Sequence, residues 1–205
     1  MSRSILLVPS VTKGNGSGHI VRCLSLAREL GTGSSVYVPE SKSETSWSAA
    51  ELSLAYAREL SGVRIVSQLP VLSKRSPWDL VVLDRRSTSA DELASWERYA
   101  PVVAIDEGGE AREAAQYLID ILPRHPRASG GPANRSGVGL LDLPKSRRSR
   151  PREFRRILVS FGGEDRSGLT LSLARILVAE GFVAPAELTV VSGALRRGAP
   201  PIGLE

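Results

Sequence analysis

Apolar positions along the chain fall into short continuous runs separated by stretches of helical period. The first run, Ile5-Leu6-Leu7-Val8, predicts a buried strand. Beyond it Ile20, Cys23, Leu24, Leu26, Ala27 and Leu30 recur at helical spacing. Residues 35–39 predict a second strand. Residues 48–60 predict a helix carrying Ala49, Leu52, Leu54, Tyr56 and Leu60, and 63–66 a third strand. The clearest strand is 79–84, apolar along its length and closing on Asp84. Such a run is expected of a parallel strand covered on both faces. A helix over 89–99 follows, with Ser89 and Glu92 at capping-box spacing. A strand over 102–105 then ends in Asp106 and Glu107, before Gly108-Gly109. A short turn of helix and a strand over 117–122 close the series. Strands alternating with helices predict an α/β fold with a doubly wound parallel sheet.

From Pro123 the pattern lapses into proline, glycine, serine and arginine, which reads as a long loop leading into an interdomain linker. It restarts with a strand over 156–161, a glycine turn at Gly162-Gly163-Glu164-Asp165, a helix over 167–181 and a strand over 188–191. The expected organisation is a complete N-terminal Rossmann-like domain over 1–122, a linker over 123–154, and the start of a second Rossmann-like domain over 155–205. One strand-helix-strand unit cannot cover both faces of a sheet, so the second domain is expected to be incomplete.

Composition changes this picture little. The single cysteine, Cys23, excludes an intrachain disulfide and fits a reducing cytoplasm. The N-terminal apolar run stops at Pro9, too short for a signal peptide or a bilayer span. The net charge of +5 is concentrated in the arginine-rich segment 145–156. A basic balance can mean nucleic acid, anionic lipid or a phosphorylated substrate. With Phe154 its one aromatic, this charge run is weak evidence for nucleic acid and reads as a solvated linker, so no nucleic-acid partner is expected.

Candidate chemistry gathers at three places. The loop Gly14-Asn15-Gly16-Ser17-Gly18 joins the first strand to the first helix, where α/β sheets bind ligands. Its G-x-G-x-G spacing departs from the G-x-G-x-x-G dinucleotide fingerprint, and it starts several residues after the strand; Glu40 only loosely meets the acid condition. It lacks the Lys-Ser/Thr of a P-loop. His19 stands at the first turn of the helix, either as a proton acceptor or as a capping or packing residue. The strand-end acids Asp84, Asp106, Glu107 and Asp120 share the edge on which this loop sits. They could bind a sugar hydroxyl, orient His19, serve in acid–base catalysis, or cap the elements that follow. The second glycine turn, at Gly162-Gly163, is either a diphosphate or sugar contact or an ordinary tight turn. With one cysteine and two histidines, His19 and His125, nothing has the spacing of a metal site.

With these residues in hand, G-S-G-H-I-V-R-C-L-S-L-A (Gly16 to Ala27) closely resembles the N-terminal motif of the nucleotide-sugar hydrolases of pseudaminic acid biosynthesis and their spore-coat-polysaccharide relatives. Those proteins resemble the lipid II glycosyltransferase and have a GT-B architecture of two Rossmann-like domains. S-F-G-G-E-D-R-S-G-L-T (Ser160 to Thr170) resembles the motif that opens their second domain, at a matching distance. The strand ends at Asp84 and at Ile105-Asp106-Glu107 fall where the family has equivalents. Where the family has a tyrosine soon after the strand-end aspartate, this chain reads Asp84-Arg85-Arg86-Ser87.

The resemblance implies a UDP-linked amino sugar as substrate, bound between the domains. His19 would be general base on a water attacking the anomeric carbon, and neither metal nor cofactor is implied. Gly16, Ser17, Gly18, Arg22, Asp84, Asp106, Glu107, Gly162 and Gly163 are the substrate-binding residues it implies. The alternatives are a glycosyltransferase using the same donor, or a truncated, non-catalytic remnant, because the family's uridine site lies beyond Glu205. A lipid-linked acceptor would bring the basic linker to a membrane surface. The sequence carries no signal of oligomeric state.

Overall fold

The computed structural model describes residues 3–40, 44–71, 76–122, 130–137, 156–165 and 167–195. These form two compact units, one of residues 3–15 and 19–137, the other of 16–18 and 156–195. The expected domain boundaries at 123 and 154, the apolar run 138–141, Lys74-Arg75, His125 and the basic segment up to 155 lie outside the described residues.

In the first unit the elements run β1 (Ile5–Pro9), α1 (Gly18–Leu30), β2 (Ser34–Tyr37), α2 (Ala49–Ala55), α3 (Ala57–Leu60), β3 (Ile65–Val66), β4 (Leu80–Asp84), α4 (Ala90–Glu97), β5 (Val102–Ile105), α5 (Ala111–Ala114), β6 (Tyr117–Asp120) and β7 (Arg135–Ser136). The strands form one seven-stranded sheet in the order β3-β2-β1-β4-β5-β6-β7, every pair parallel. The fold is a Rossmann-like α/β sheet. Its order reverses between β1 and β4, which pair from Ile5↔Leu80 to Pro9↔Asp84. Parallel crossovers are right-handed, so the helices reached on either side of this reversal cover opposite faces.

Side-chain alternation divides the core accordingly. Leu6 and Val8 of β1, Val81 and Leu83 of β4, and Val102 and Ala104 of β5 pack with Leu93 and Trp96 of α4 and Ala111 of α5. Leu7, Val82 and Asp84 therefore point to the other face, the one that α1 covers. Helix α1 buries Ile20, Cys23, Leu24 and Ala27, spaced as one helical stripe. It ends where Gly31 takes φ +68°, a left-handed turn that favours glycine.

Several expectations need correction. The helix expected over 48–60 is two, broken at Tyr56 with φ −131° and ψ 36°. Leu52 O still accepts from Tyr56 N, and Tyr56 O from Leu60 N, so the apolar spacing runs through the break unmarked. Ser48 and Glu51 make the full capping box at its start. Ser89 makes only half of one: its hydroxyl accepts from Glu92 N, while the Glu92 carboxylate is drawn to Arg85. The strand series does not close at β6. The short, exposed β7 adds a seventh strand inside the segment expected to be linker. A polar two-residue edge strand has no apolar run to announce it.

The second unit contains β8 (Ile157–Val159), α6 (Leu169–Ala179) and β9 (Leu188–Val190), with β8 and β9 parallel. Leu158, Leu169, Leu173, Ile176 and Phe182 remain exposed, as expected of a two-stranded sheet with one helix. No helix among the described residues is long and apolar enough to cross a membrane.

Candidate functional site

The reversal between β1 and β4 is where an open α/β sheet has its crevice at the strand carboxyl ends. Strand parity puts the Asp84 side chain on the α1 face of β4. Helix spacing puts His19, Arg22 and Cys23 on the face of α1 that meets it. Asp84 is fully buried. Its Oδ1 receives His19 Nδ1 at 2.7 Å and Arg22 Nη2 at 2.5 Å. Its Oδ2 receives Arg22 Nε at 2.6 Å, with Cys23 Sγ at 3.9 Å. The Arg22–Asp84 contact is thus a two-point fork. The third guanidinium nitrogen, Nη1, donates to Asp106 Oδ2 at 2.8 Å.

A carboxylate oxygen accepts, so the proton of a neutral His19 ring sits on Nδ1 and the lone pair on Nε2. The His19 side chain keeps 15% of its surface exposed over this buried acid. Arg22 is held above the ordinary arginine range, chiefly by its hydrogen bonds to Asp84. Burial first, and then the Asp84 charge, push the Cys23 thiol well above its usual range.

Asp106 has φ +50°, a left-handed conformation that costs a non-glycine residue about 1 kcal/mol or more. What holds it is its own side chain. Oδ1 accepts from the amides of Ile121 and Leu122, at 2.7 and 3.1 Å, while Oδ2 takes Arg22. Asp106 therefore ties the end of β6 to α1.

The other two acids serve as clamps. Buried Glu107 accepts through Oε1 from the amides of Thr88 and Gly109, at 3.0 and 2.6 Å, joining the loops that follow β4 and β5. A Cβ on Gly109 would stand 2.3 Å from Ser87 Oγ and 3.0 Å from both Glu107 Oε1 and Thr88 N, so a side chain there would turn the Ser87 hydroxyl aside and crowd the clamp. Asp120 takes a fork from buried Arg112, at 2.9 and 2.8 Å. Arg112 also donates to the carbonyls of Glu107 and Gly131. Local periodicity gave no sign of Arg112, which lies in the four-residue α5.

The loop ahead of α1 is anchored from below. Ser10 N donates to Asp84 O, Thr12 pairs with Ser46, and Trp47 N donates to Val11 O. Lys13 reaches Glu51 at 3.1 Å and stands 4.8 Å over the Trp47 ring. Gly14 and Gly16 have φ +96° and +78°. Residues 10–17 separate β1 from α1, far longer than the tight turn of a dinucleotide fingerprint. Glu40 is occupied by Ser67 and Gln68. Gly18 opens α1, and a Cβ there would meet nothing within 4 Å.

In the second unit Gly162 takes φ +81° in the turn after β8. Gly163 O accepts from Leu195 N, and a Cβ on Gly193 would come within 2.2 Å of the Gly163 backbone. Asp165 accepts from the amides of Leu169 and Thr170, at 2.9 and 3.0 Å, and so caps α6 itself. Arg166 lies outside the described residues.

The structure therefore brings His19, Arg22, Asp84 and Asp106 together and leaves Glu107 as a loop clamp. No group of three or more His, Cys, Asp or Glu side chains among the described residues is arranged to hold a metal ion. Comparison of the chain with protein-family models, curated proteins and solved structures finds no match in any of the three.

Proposed function

We propose that the chain is a nucleotide-sugar hydrolase that releases UDP from a UDP-linked amino sugar in cell-surface glycan biosynthesis. The reading rests first on the His19–Asp84 contact, which leaves Nε2 of a neutral ring free to take a proton at the sheet's switch point. In the proposed reaction a water oxygen bonds to the anomeric carbon while His19 Nε2 takes the water's proton. The bond from that carbon to the UDP oxygen breaks, and its electron pair leaves with UDP. The products are the free sugar and UDP, and no metal or cofactor is required.

Formal charge around His19 favours this reaction. Arg22 carries one positive charge and Asp84 and Asp106 two negative ones, a net negative cluster. Glycosyl transfer passes through an oxocarbenium-like state, which a nearby negative field stabilises. The first amides of α1, behind Gly16-Ser17-Gly18, would face the departing phosphates. The motifs at Gly16–Ala27 and Ser160–Thr170 support a GT-B arrangement, with the first unit as its N-terminal domain and the second belonging to its nucleotide-binding domain. A glycosyltransferase would use the same base on an acceptor hydroxyl.

The test is UDP release from a panel of UDP-N-acetylamino sugars in ¹⁸O-water, with and without sugar or lipid acceptors. The expected result is acceptor-independent release with the label on the sugar, lowered roughly 100- to 10⁴-fold in His19→Ala. Label on the phosphate, release only with an acceptor, or an unchanged His19→Ala rate would overturn the hydrolase reading.

A further inference from the structure

The motif that carries His19 also carries Arg22, three residues on, and an arginine beside a nucleotide-sugar site invites assignment to the diphosphate. The geometry points elsewhere. Nε and Nη2 are spent in a fork on buried Asp84, and Nη1 on Asp106. The positive charge is already outnumbered by the two carboxylates it touches. An anion arriving there would meet a net negative cluster, and the fork that reads phosphate oxygens is taken.

We propose that Arg22 is a positioning residue: its guanidinium fixes the Asp84 carboxylate in the orientation that receives His19 Nδ1, and Asp106 fixes the guanidinium. The proposal rests on the reading of His19 as the general base. Without the fork, the Asp84 carboxylate is free to turn about its last torsion, which is broad for aspartate. The ring would then lose the hold that aims Nε2. Asp106 braces the other side because its backbone conformation and its two amide contacts leave Oδ2 facing Arg22.

The experiment combines kinetics with nitrogen-edited NMR of histidine-labelled protein, using a His125→Gln background for assignment. In the otherwise unaltered protein the His19 ring is expected to carry its proton on Nδ1, as a hydrogen-bonded signal protected from exchange with water. In Arg22→Ala that signal is expected to broaden through exchange, and guanidinium ion in the buffer to restore it. Arg22→Lys, which keeps the charge without the fork, restores it less well. In turnover, Arg22→Ala lowers kcat on the order of 100-fold with KM unchanged, as expected for a misaimed base.

A rise in KM with kcat unchanged would make Arg22 a substrate contact and overturn the proposal. So would a His19 ring protonated on Nε2, or an Nδ1 proton indifferent to the loss of Arg22. Should Arg22→Ala not fold, the Arg22 Nε proton of the unaltered protein decides. Slow exchange that UDP-sugar does not alter supports the fork; exchange as fast as at surface arginines refutes it. The NMR measurements need no turnover. A protein that hydrolyses no nucleotide sugar yet shows the expected ring behaviour overturns the hydrolase reading and leaves the role of Arg22 standing.

Discussion

Replacing Asp84 by Asn tests the centre of the site with the smallest change in shape. Asn keeps one acceptor for His19 but loses the charge and turns an NH₂ toward the Arg22 guanidinium. Removing one partner of a buried ion pair costs about 3–5 kcal/mol. Here the Arg22 side chain is 25% exposed and retains Asp106, so the lower end applies, about 3 kcal/mol. For a chain of this size that loss corresponds to a fall in Tm of about 6–12 °C. The chain's three tryptophans, Trp47, Trp78 and Trp96, are all buried in the first unit. Urea denaturation followed by their fluorescence therefore reports on that unit alone. Asp84→Asn, Arg22→Met and the double variant complete a cycle whose expected coupling exceeds about 1 kcal/mol. A single-variant loss below about 1 kcal/mol, or additivity within about 0.5 kcal/mol, would refute the view that this pair organises the site.

Two further outcomes concern groups around the site. The Cys23 thiol is held well above its usual range by burial and by Asp84, whereas an unfolded thiol ionises near about pH 8.5. The folded state thus retains a proton that the unfolded state releases. The thiol's contribution is full below about pH 8.5 and declines above it by up to about 1.4 kcal/mol per pH unit. Urea titrations at alkaline pH should show a steeper loss for the unaltered protein than for Cys23→Ala; equal slopes would contradict the assignment. Arg112→Met should cost about 3–5 kcal/mol in the same fluorescence assay, because it leaves Asp120 buried without its fork. Adding Asp120→Asn should recover part of that loss, and a double variant no better than the single would count against the pair.

The centre of the site was legible because two periodicities intersect there. Alternation along β4 separates Val81 and Leu83 from Asp84, and helical spacing groups His19, Arg22 and Cys23. The order of strands and helices then brings the two groups to one edge. The roles of the remaining acids were not legible. Asp120 ends β6 and Asp106 and Glu107 follow directly on β5, yet their tasks depend on loops remote in sequence. Asp106 caps the exit of β6, Glu107 clamps the loop after β4, and Asp120 meets Arg112 from a helix too short to show a period. The break at Tyr56 and the polar strand β7 were silent for related reasons. One preserves the apolar spacing on both sides, and the other has no apolar residue at all.

The reversal between β1 and β4 also governs when the site can come into being. The two strands are neighbours in the sheet but remote in the chain: Ser4 bonds to Asp79, 75 residues away, and His19 to Asp84, 65 residues away. Closing loops of that length costs entropy before any contact repays it, which makes such pairings slow steps of folding. A nascent chain that has emerged only as far as β3 already holds His19 and Arg22 on α1, but neither Asp84 nor Asp106. The ring and the guanidinium acquire their partner only when the central strands join. The chemistry of the site is thus tied to the longest-range event in the assembly of the sheet.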